Sequence, residues 1–353
     1  MGMTKRERVY NALSHKPVDK IPKGELAISP GLALKVLGGG YSDAFQDFER
    51  EKAIRELLHM DYINIGDWPS RKVGTTESGE PVYQSNYGEK YIDNGISKHT
   101  IELPFESVEE SEDYQIPDIR NVSGDLIRRF AEETDLFVFA QIGGPISMVN
   151  ELIGMEEYMI ASLLNTDEIR ILAEKIMIYE IEKAKLFIDS GADGITIADD
   201  MAFNTGLFLP PHIMDEIAYP FYEKAIREIK AYKDLPVILH TDGNINAAME
   251  KIVSLGFDGL QSLQPSAGMD IKEIKEKYGD RLCLIGNIDL DYIMTFASAE
   301  EVKKNVEDTI RCAAPGSGFI LSTCNTLVDI IPVENVHAMY DTAEKFDIGE
   351  IEQ

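Results

Sequence analysis

A (β/α)8 barrel, a ring of eight parallel strands alternating with helices, is the fold class this sequence predicts, and three observations predict it. Eight short apolar runs are separated by stretches of helical periodicity. Each run gives way to polar residues or glycine at its end, as strands do at the working rim of a barrel. Neither GxGxxG nor a P-loop follows any run, whereas an open doubly wound sheet would usually carry a phosphate loop after its first strand. Gly38-Gly-Gly40 has no strand before it and reads as a loop.

Residues 4–14 open with Thr4-Lys-Arg-Glu7, a capping-box pattern, with Val9 and Leu13 at helical spacing, so a helix starts the chain. Residues 20–28 read as the first strand, with Glu25 embedded in it. A carboxylate there is costly without a partner, so Glu25 is either ion-paired for structure or a site residue. Residues 47–60 are helical, and 61–67 form the second strand, ending in Asp67-Trp68. From 71 to 105 the pattern turns to Gly-punctuated, alternating aromatic segments, among them one that begins at Ser97. These predict antiparallel hairpins inserted after the second strand, where they would lid or shape a pocket.

A regular alternation follows. Helices are predicted over 125–134, 147–164, 167–190, 211–233, 245–255, 270–278, 298–313 and 332–345. The strands between them are 136–141, 194–198, 236–239, 256–261, 282–285 and 318–321. One barrel domain over 1–353, with the hairpin region at about 71–105, accounts for the length.

The chain carries 62 acidic and 34 basic residues, a net charge of -28, which argues against nucleic acid and gives no support to binding an anionic membrane. No apolar stretch reaches the roughly 20 residues of a membrane span, and the N-terminus lacks the apolar core of a signal peptide. Three cysteines cannot build a disulfide framework, and their odd number suits a reducing compartment, so a cytoplasmic protein is expected. Cys283 lies in an apolar run and Cys312 in a helical pattern, where both read as structural; Cys324 ends the eighth strand.

A barrel would bring its strand ends into one mouth: Glu25, Asp67, Gln141, Asp199 with Asp200, His240 with Asp242, Gln261 with Gln264, Asn287 with Asp289, and Cys324 with Asn325. One imidazole, one thiol and several carboxylates in a cavity suit zinc. His240 and Asp242, two apart on an extended segment, can point the same way, and Cys324 would arrive from the eighth strand. From spacing alone, His240 reads equally as a hydrogen-bonded core histidine and Cys324 as a buried small residue.

The local sequence carries more. His240-Thr-Asp-Gly-Asn-Ile245 resembles the His-x-Cys-Gly-Asn segment of the uroporphyrinogen decarboxylase superfamily, in its branch of zinc-dependent corrinoid methyltransferases. The likeness extends to Arg6-Glu-Arg-Val-Tyr-Asn-Ala-Leu13, Pro17-Val-Asp-Lys-Ile-Pro22, Gly191-Ala-Asp-Gly-Ile-Thr-Ile-Ala-Asp-Asp200, Gly256-Phe-Asp-Gly-Leu260, Gly286-Asn-Ile-Asp289 and Gly318-Phe-Ile-Leu-Ser-Thr-Cys324. It covers nearly the whole chain except the hairpins. In that branch, the resemblance implies, a histidine, a cysteine two residues later and a distant cysteine hold zinc, and a cobalamin on a separate corrinoid protein exchanges the methyl group. His240 and Cys324 match that pattern, while Asp242 stands where the first cysteine would be.

A harder set of ligands leaves zinc a stronger Lewis acid, suited to polarising an ether oxygen. The expectation is therefore a zinc-dependent methyltransferase that demethylates a methoxylated, aromatic substrate onto the Co(I) corrinoid of a partner protein. In it His240, Asp242, Cys324 and Glu25 ligate zinc, Glu25 and Asp200 are catalytic, and Asp67, Trp68, Asp199 and Asn244 bind substrate. The alternatives are a methylcobamide:thiol methyltransferase of the coenzyme M type, which a second thiolate at 242 would favour, and a corrinoid-protein binding module without turnover. Uroporphyrinogen decarboxylation ranks lowest, because the resemblance implies an arginine-rich N-terminal segment that residues 25–30 lack.

Overall fold

The computed structural model describes residues 2–93 and 98–351. In chain order its strands are β1 (Tyr62–Ile65), β2 (Ser70–Thr75), β3 (Pro81–Ser85), β4 (Lys90–Asp93), β5 (Lys98–Glu102), β6 (Phe137–Gly143), β7 (Gly194–Ala198), β8 (Ala202–Phe203), β9 (Gly206–Leu207), β10 (Val237–Thr241), β11 (Gly259–Ser262), β12 (Cys283–Ile288) and β13 (Phe319–Thr323). Among the described residues seven of these form one parallel sheet in the order β1-β6-β7-β10-β11-β12-β13. Strands β2 to β5 form a separate antiparallel sheet between β1 and β6, and β8 with β9 a two-stranded ribbon. Ser97, where one expected hairpin segment begins, lies outside the described residues.

The expected first strand, 20–28, is not a continuous strand. Two isolated parallel bridges replace it, Lys23 with Leu321 and Ile28 with Leu327. Pro22 has no N–H to give a ladder, and a side chain at Gly24 would come within 2.5 Å of the Tyr62 ring. The segment nonetheless joins the two edges of the sheet. Leu321 N donates to Pro22 O at 2.8 Å, Gly24 N to Leu321 O at 3.1 Å, and Asp61 N to Lys23 O at 2.7 Å. The parallel sheet thus curls until β13 and the start of β1 meet over residues 22–24, in the manner of a TIM-type barrel.

Alternate residues of each strand separate into two clusters, which shows which side faces the axis. Tyr62, Phe137, Phe139, Ile238, Cys283, Ile285 and Ile320 pack with Val9, Ala12 and Leu13 of the helix Lys5–Leu13, which plugs one end. Val138, Ala140, Val237, Leu239, Leu284, Phe319 and Leu321 face the surrounding helices. Burying each such side chain contributes about 1.5–3 kcal/mol, and both faces of the sheet are covered, as parallel sheets require.

Several expected helices are shorter or divided. The span 147–164 breaks at Gly154, which has φ 82°, into Pro145–Ile153 and Met155–Leu164. The span 211–233 breaks at Ala218, before Pro220, into Pro211–Ile217 and Tyr219–Tyr232. A further helix, Pro30–Leu37, begins on the Ser29 cap with proline at its first position and ends on Gly38 in the left-handed region.

Candidate metal centre

The two-residue period that turns Ile238 toward the axis carries on past the packed layer. Position 240 follows 238, as 64 follows 62, 141 follows 139 and 322 follows 320. Asn64, Gln141, His240 and Ser322 therefore rise over the core as a polar tier at the strands' C-terminal ends. One ligand atom each from Asp200, His240 and Asp242 lies within 4.8 Å of the others.

The surroundings fix each of the three. Gln261 Nε2 donates to Thr323 O at 3.2 Å, which turns its Oε1 to His240 Nδ1. A carbonyl oxygen there requires the proton on Nδ1, so in the neutral ring it is Nε2 that carries the lone pair a cation would use. Asp242 Oδ1 accepts from Ser262 Oγ at 2.6 Å and Oδ2 from Asn325 Nδ2. Asp200 Oδ1 accepts from Asp242 N at 2.9 Å, and Asp200 N donates to Ser147 Oγ at 3.0 Å. Burial raises the Asp242 carboxyl above the usual carboxylate range against the pull of His240, and Asp200 adds to the rise. A cation would reverse that cost. An imidazole nitrogen and two carboxylates are a donor set that fits a divalent ion such as zinc.

The backbone is shaped around this group. Gly243, at φ 83°, passes the Ala202 carbonyl so closely that a Cβ would lie 2.4 Å from its oxygen. Ser262 and Leu263 hold φ of 99° and 55° without being glycine. Such strain costs about 1–3 kcal/mol per residue and gathers at working sites. Here it aims the Ser262 hydroxyl at Asp242.

The other expected site residues fall elsewhere. Cys324 and Glu25 are not members of the convergent group. Cys324 lines a cavity of about 590 Å³ together with Asp242, Asn325, Phe296 and Ile330. Its thiol is pushed up to about 12, mainly by burial. Glu25 is fully buried, accepting from Thr323 Oγ1 at 2.6 Å, Thr323 N at 3.1 Å, Ser322 Oγ at 3.2 Å and Tyr340 Oη. Burial lifts its carboxyl to about 7.

Asp199 is also buried, facing outward where Asp200 faces inward. It accepts from Ile146 N at 3.1 Å, from Ser147 N and from Tyr222 Oη, which makes it the anionic cap of the helix Pro145–Ile153 rather than a substrate contact. Asn244 Oδ1 accepts from Asn246 N at 3.2 Å and shapes a turn. Asp67 accepts from Ser123 N at 2.6 Å, and Trp68 is 36% exposed beside it. Sequence reasoning named Gln261 and Asn325 only as strand-end residues and missed Ser262. The inward register of β11 is the signal that would have found the role of Gln261, whereas Ser262, next to it, is turned to Asp242 only by its backbone at φ 99°.

Comparison with known proteins agrees with this architecture. The family model described as uroporphyrinogen decarboxylase (URO-D) matches residues 93–346. The "Methylcobamide:CoM methyltransferase MtaA" of Methanosarcina barkeri is 26% identical over 217 residues, 60% of this chain and 59% of that protein. A uroporphyrinogen decarboxylase of Trichodesmium erythraeum is 31% identical over 175 residues, 49% of this chain and 45% of that one. The chain thus spans 59% or less of the length of these two curated relatives. The solved structure of a "methyltransferase from Methanosarcina mazei" superposes with a TM-score of 0.77 at 20% identity, covering 98% of this chain and 99% of that one. With the family model spanning most of its length, the chain belongs to the uroporphyrinogen decarboxylase family and is homologous to the methylcobamide methyltransferases within it.

Proposed function

We propose that the chain is a zinc-dependent methyltransferase that takes a methyl group from a methoxylated aromatic compound and passes it to the Co(I) corrinoid of a partner protein. It acts in the cytoplasm, with residues 1–353 working as one barrel. The observation that carries this reading is the meeting of Asp200, His240 and Asp242 within 4.8 Å at the mouth, in a homologue of corrinoid-dependent methyltransferases.

His240, Asp242 and Asp200 would hold the zinc, with Cys324 in the adjoining cavity as a further donor. When bound in so hard a set, zinc supplies Lewis acidity to an ether oxygen and eases departure of the phenolate. The chain's residues supply orientation. Gln261 keeps His240 in the tautomer that binds through Nε2, and Ser262 and Asn325 hold the Asp242 carboxylate in place. Glu25, once expected as ligand and catalyst, supports the layer beneath through Thr323. Trp68 and Asp67 stand on the β1 side, where the substrate's ring would rest.

A thiol acceptor is the competing reading, favoured by the activity named for the Methanosarcina barkeri relatives. The carboxylate at 242, in place of a second thiolate, weighs against it. Metal analysis of the purified protein, combined with cob(I)alamin and a panel of methoxylated aromatics, tests the choice. About one zinc per chain and release of the phenol are expected. Zinc-free protein would overturn the proposal, and thiol methylation without any phenol would replace it with the competing one.

A further inference from the structure

A second cavity at the mouth bears on what else the substrate carries. It encloses about 160 Å³, and its lining includes Phe45, Glu51, Arg55, Asn64, Trp68, Gln141 and Thr326. Thr326 also lines the cavity of Asp242 and Cys324, so the two share a wall.

Arg55 reaches this cavity from the helix Phe48–Leu57, not from a strand, and is 1% exposed. Arg50 is equally buried, and one carboxylate serves both: Arg50 Nη2 donates to Glu51 Oε1 at 2.7 Å, and Arg55 Nη1 to Glu51 Oε2. Arg50 uses its other terminal nitrogen on the carbonyls of Ser42 and Ala44, at 2.7 and 2.8 Å, which tethers the loop bearing Phe45. Arg55 Nη1 also reaches the Glu51 carbonyl, at 3.1 Å. The Nε of both guanidiniums is buried with no hydrogen-bond partner among the described residues, and so is Asn64 Oδ1. The buried Glu25 accepts from hydroxyls and a backbone N–H instead. Two guanidiniums against one carboxylate leave a positive charge in excess, and a buried charge without a partner is costly. Beside it, Asn64 Nδ2 donates to Gln141 Oε1 at 2.6 Å, which leaves Gln141 Nε2 as a second donor.

We propose that this cavity receives a carboxylate of the substrate, held by Arg55 and Gln141, with the aromatic ring against Trp68 and the methoxy group reaching past Thr326 toward Asp242. The inference rests on the methyl-transfer reading and names its substrate class: methoxylated aromatic acids rather than neutral methoxyarenes.

Trp68 is the one tryptophan of the chain, so its fluorescence reports on this cavity alone. The zinc-loaded protein is titrated, without corrinoid, with 4-methoxybenzoate and with the neutral 4-methoxybenzamide. The acid is expected to bind at least about tenfold more tightly, as a charge-assisted hydrogen bond should make it. Gln141→Glu keeps the acceptor for Asn64 but sets a negative charge in the cavity, and is expected to erase that preference. Arg55→Gln should erase it too, and is judged only where circular dichroism shows the variant folded.

Equal affinity for acid and amide in the wild type, or an undiminished preference in folded Gln141→Glu, would overturn the subsite. The two readings fail separately. Tight acid binding with no methyl transfer to cob(I)alamin sinks the reaction and keeps the subsite, whereas equal turnover of acid and amide does the reverse.

Discussion

The two sides of the barrel mouth use carboxylates in opposite ways. Beneath the β13 side, Glu25 is enclosed by hydroxyls and a backbone N–H that meet both of its oxygens. At the ends of β7 and β10, Asp200 and Asp242 each accept hydrogen bonds yet still converge with each other and with the His240 imidazole. A carboxylate saturated by neutral donors is a strut. A carboxylate grouped with a second carboxylate and an imidazole is placed to share a cation with them. Burial follows the same division, with Glu25 fully enclosed and Asp200 and Asp242 more open, and the chemistry of the neighbours gives each carboxylate its role.

The comparison breaks most readily at His240. His240→Ala is expected to take bound zinc from about one per chain to nearly none by elemental analysis, while Glu25→Gln retains it. Loss in both would merge the two sides into one site. Gln261→Leu removes the group that fixes the imidazole tautomer and should weaken metal affinity by about 10–100-fold in a chelator competition; unchanged affinity would make Gln261 a packing residue. Cys324→Ala is expected to keep stoichiometric metal at reduced affinity, and complete loss would move the centre from Asp200 toward the thiolate.

Tyr222→Phe strips a donor from the buried Asp199, and should cost about 1–3 kcal/mol in denaturant unfolding with the metal retained. The smallest change concerns pH. Glu25 is raised from 4.5 to about 7 in the folded chain, so the folded state holds its proton more tightly than the unfolded one. That contribution to stability is complete below about 4.5 and is lost as pH rises through 7. Glu25→Gln, neutral throughout, should flatten the fall in stability over this range, and an identical slope in both proteins would show that Glu25 titrates normally.

Much of this was legible in the sequence, because a two-residue period fixes which side a strand residue faces. It placed His240 and Asp242 together and at the rim. The same period separates Asp199 from Asp200, yet their fates became clear only once a helix N-terminus was seen waiting for Asp199. The first strand was misread because its apolar residues look like a strand, while Pro22 and the tight approach of Gly24 to Tyr62 permit only bridges. The Pro30–Leu37 helix had its Ser-Pro start and Gly stop in plain view. Arg55 was not legible at all, since it reaches the mouth from a helix interior, and only tertiary packing brings that position beside Asn64 and Gln141.

The plug formed by Val9, Ala12 and Leu13 has a kinetic corollary. With that end of the barrel stoppered, whatever visits Asp242 comes and goes on the opposite side, which is also where a bulky macromolecular acceptor would have to sit. On the proposed reading, the small donor must be seated before the acceptor arrives, and its phenol must wait until the acceptor departs. A compulsory sequence of arrivals and departures would then follow from plumbing, with no moving gate required.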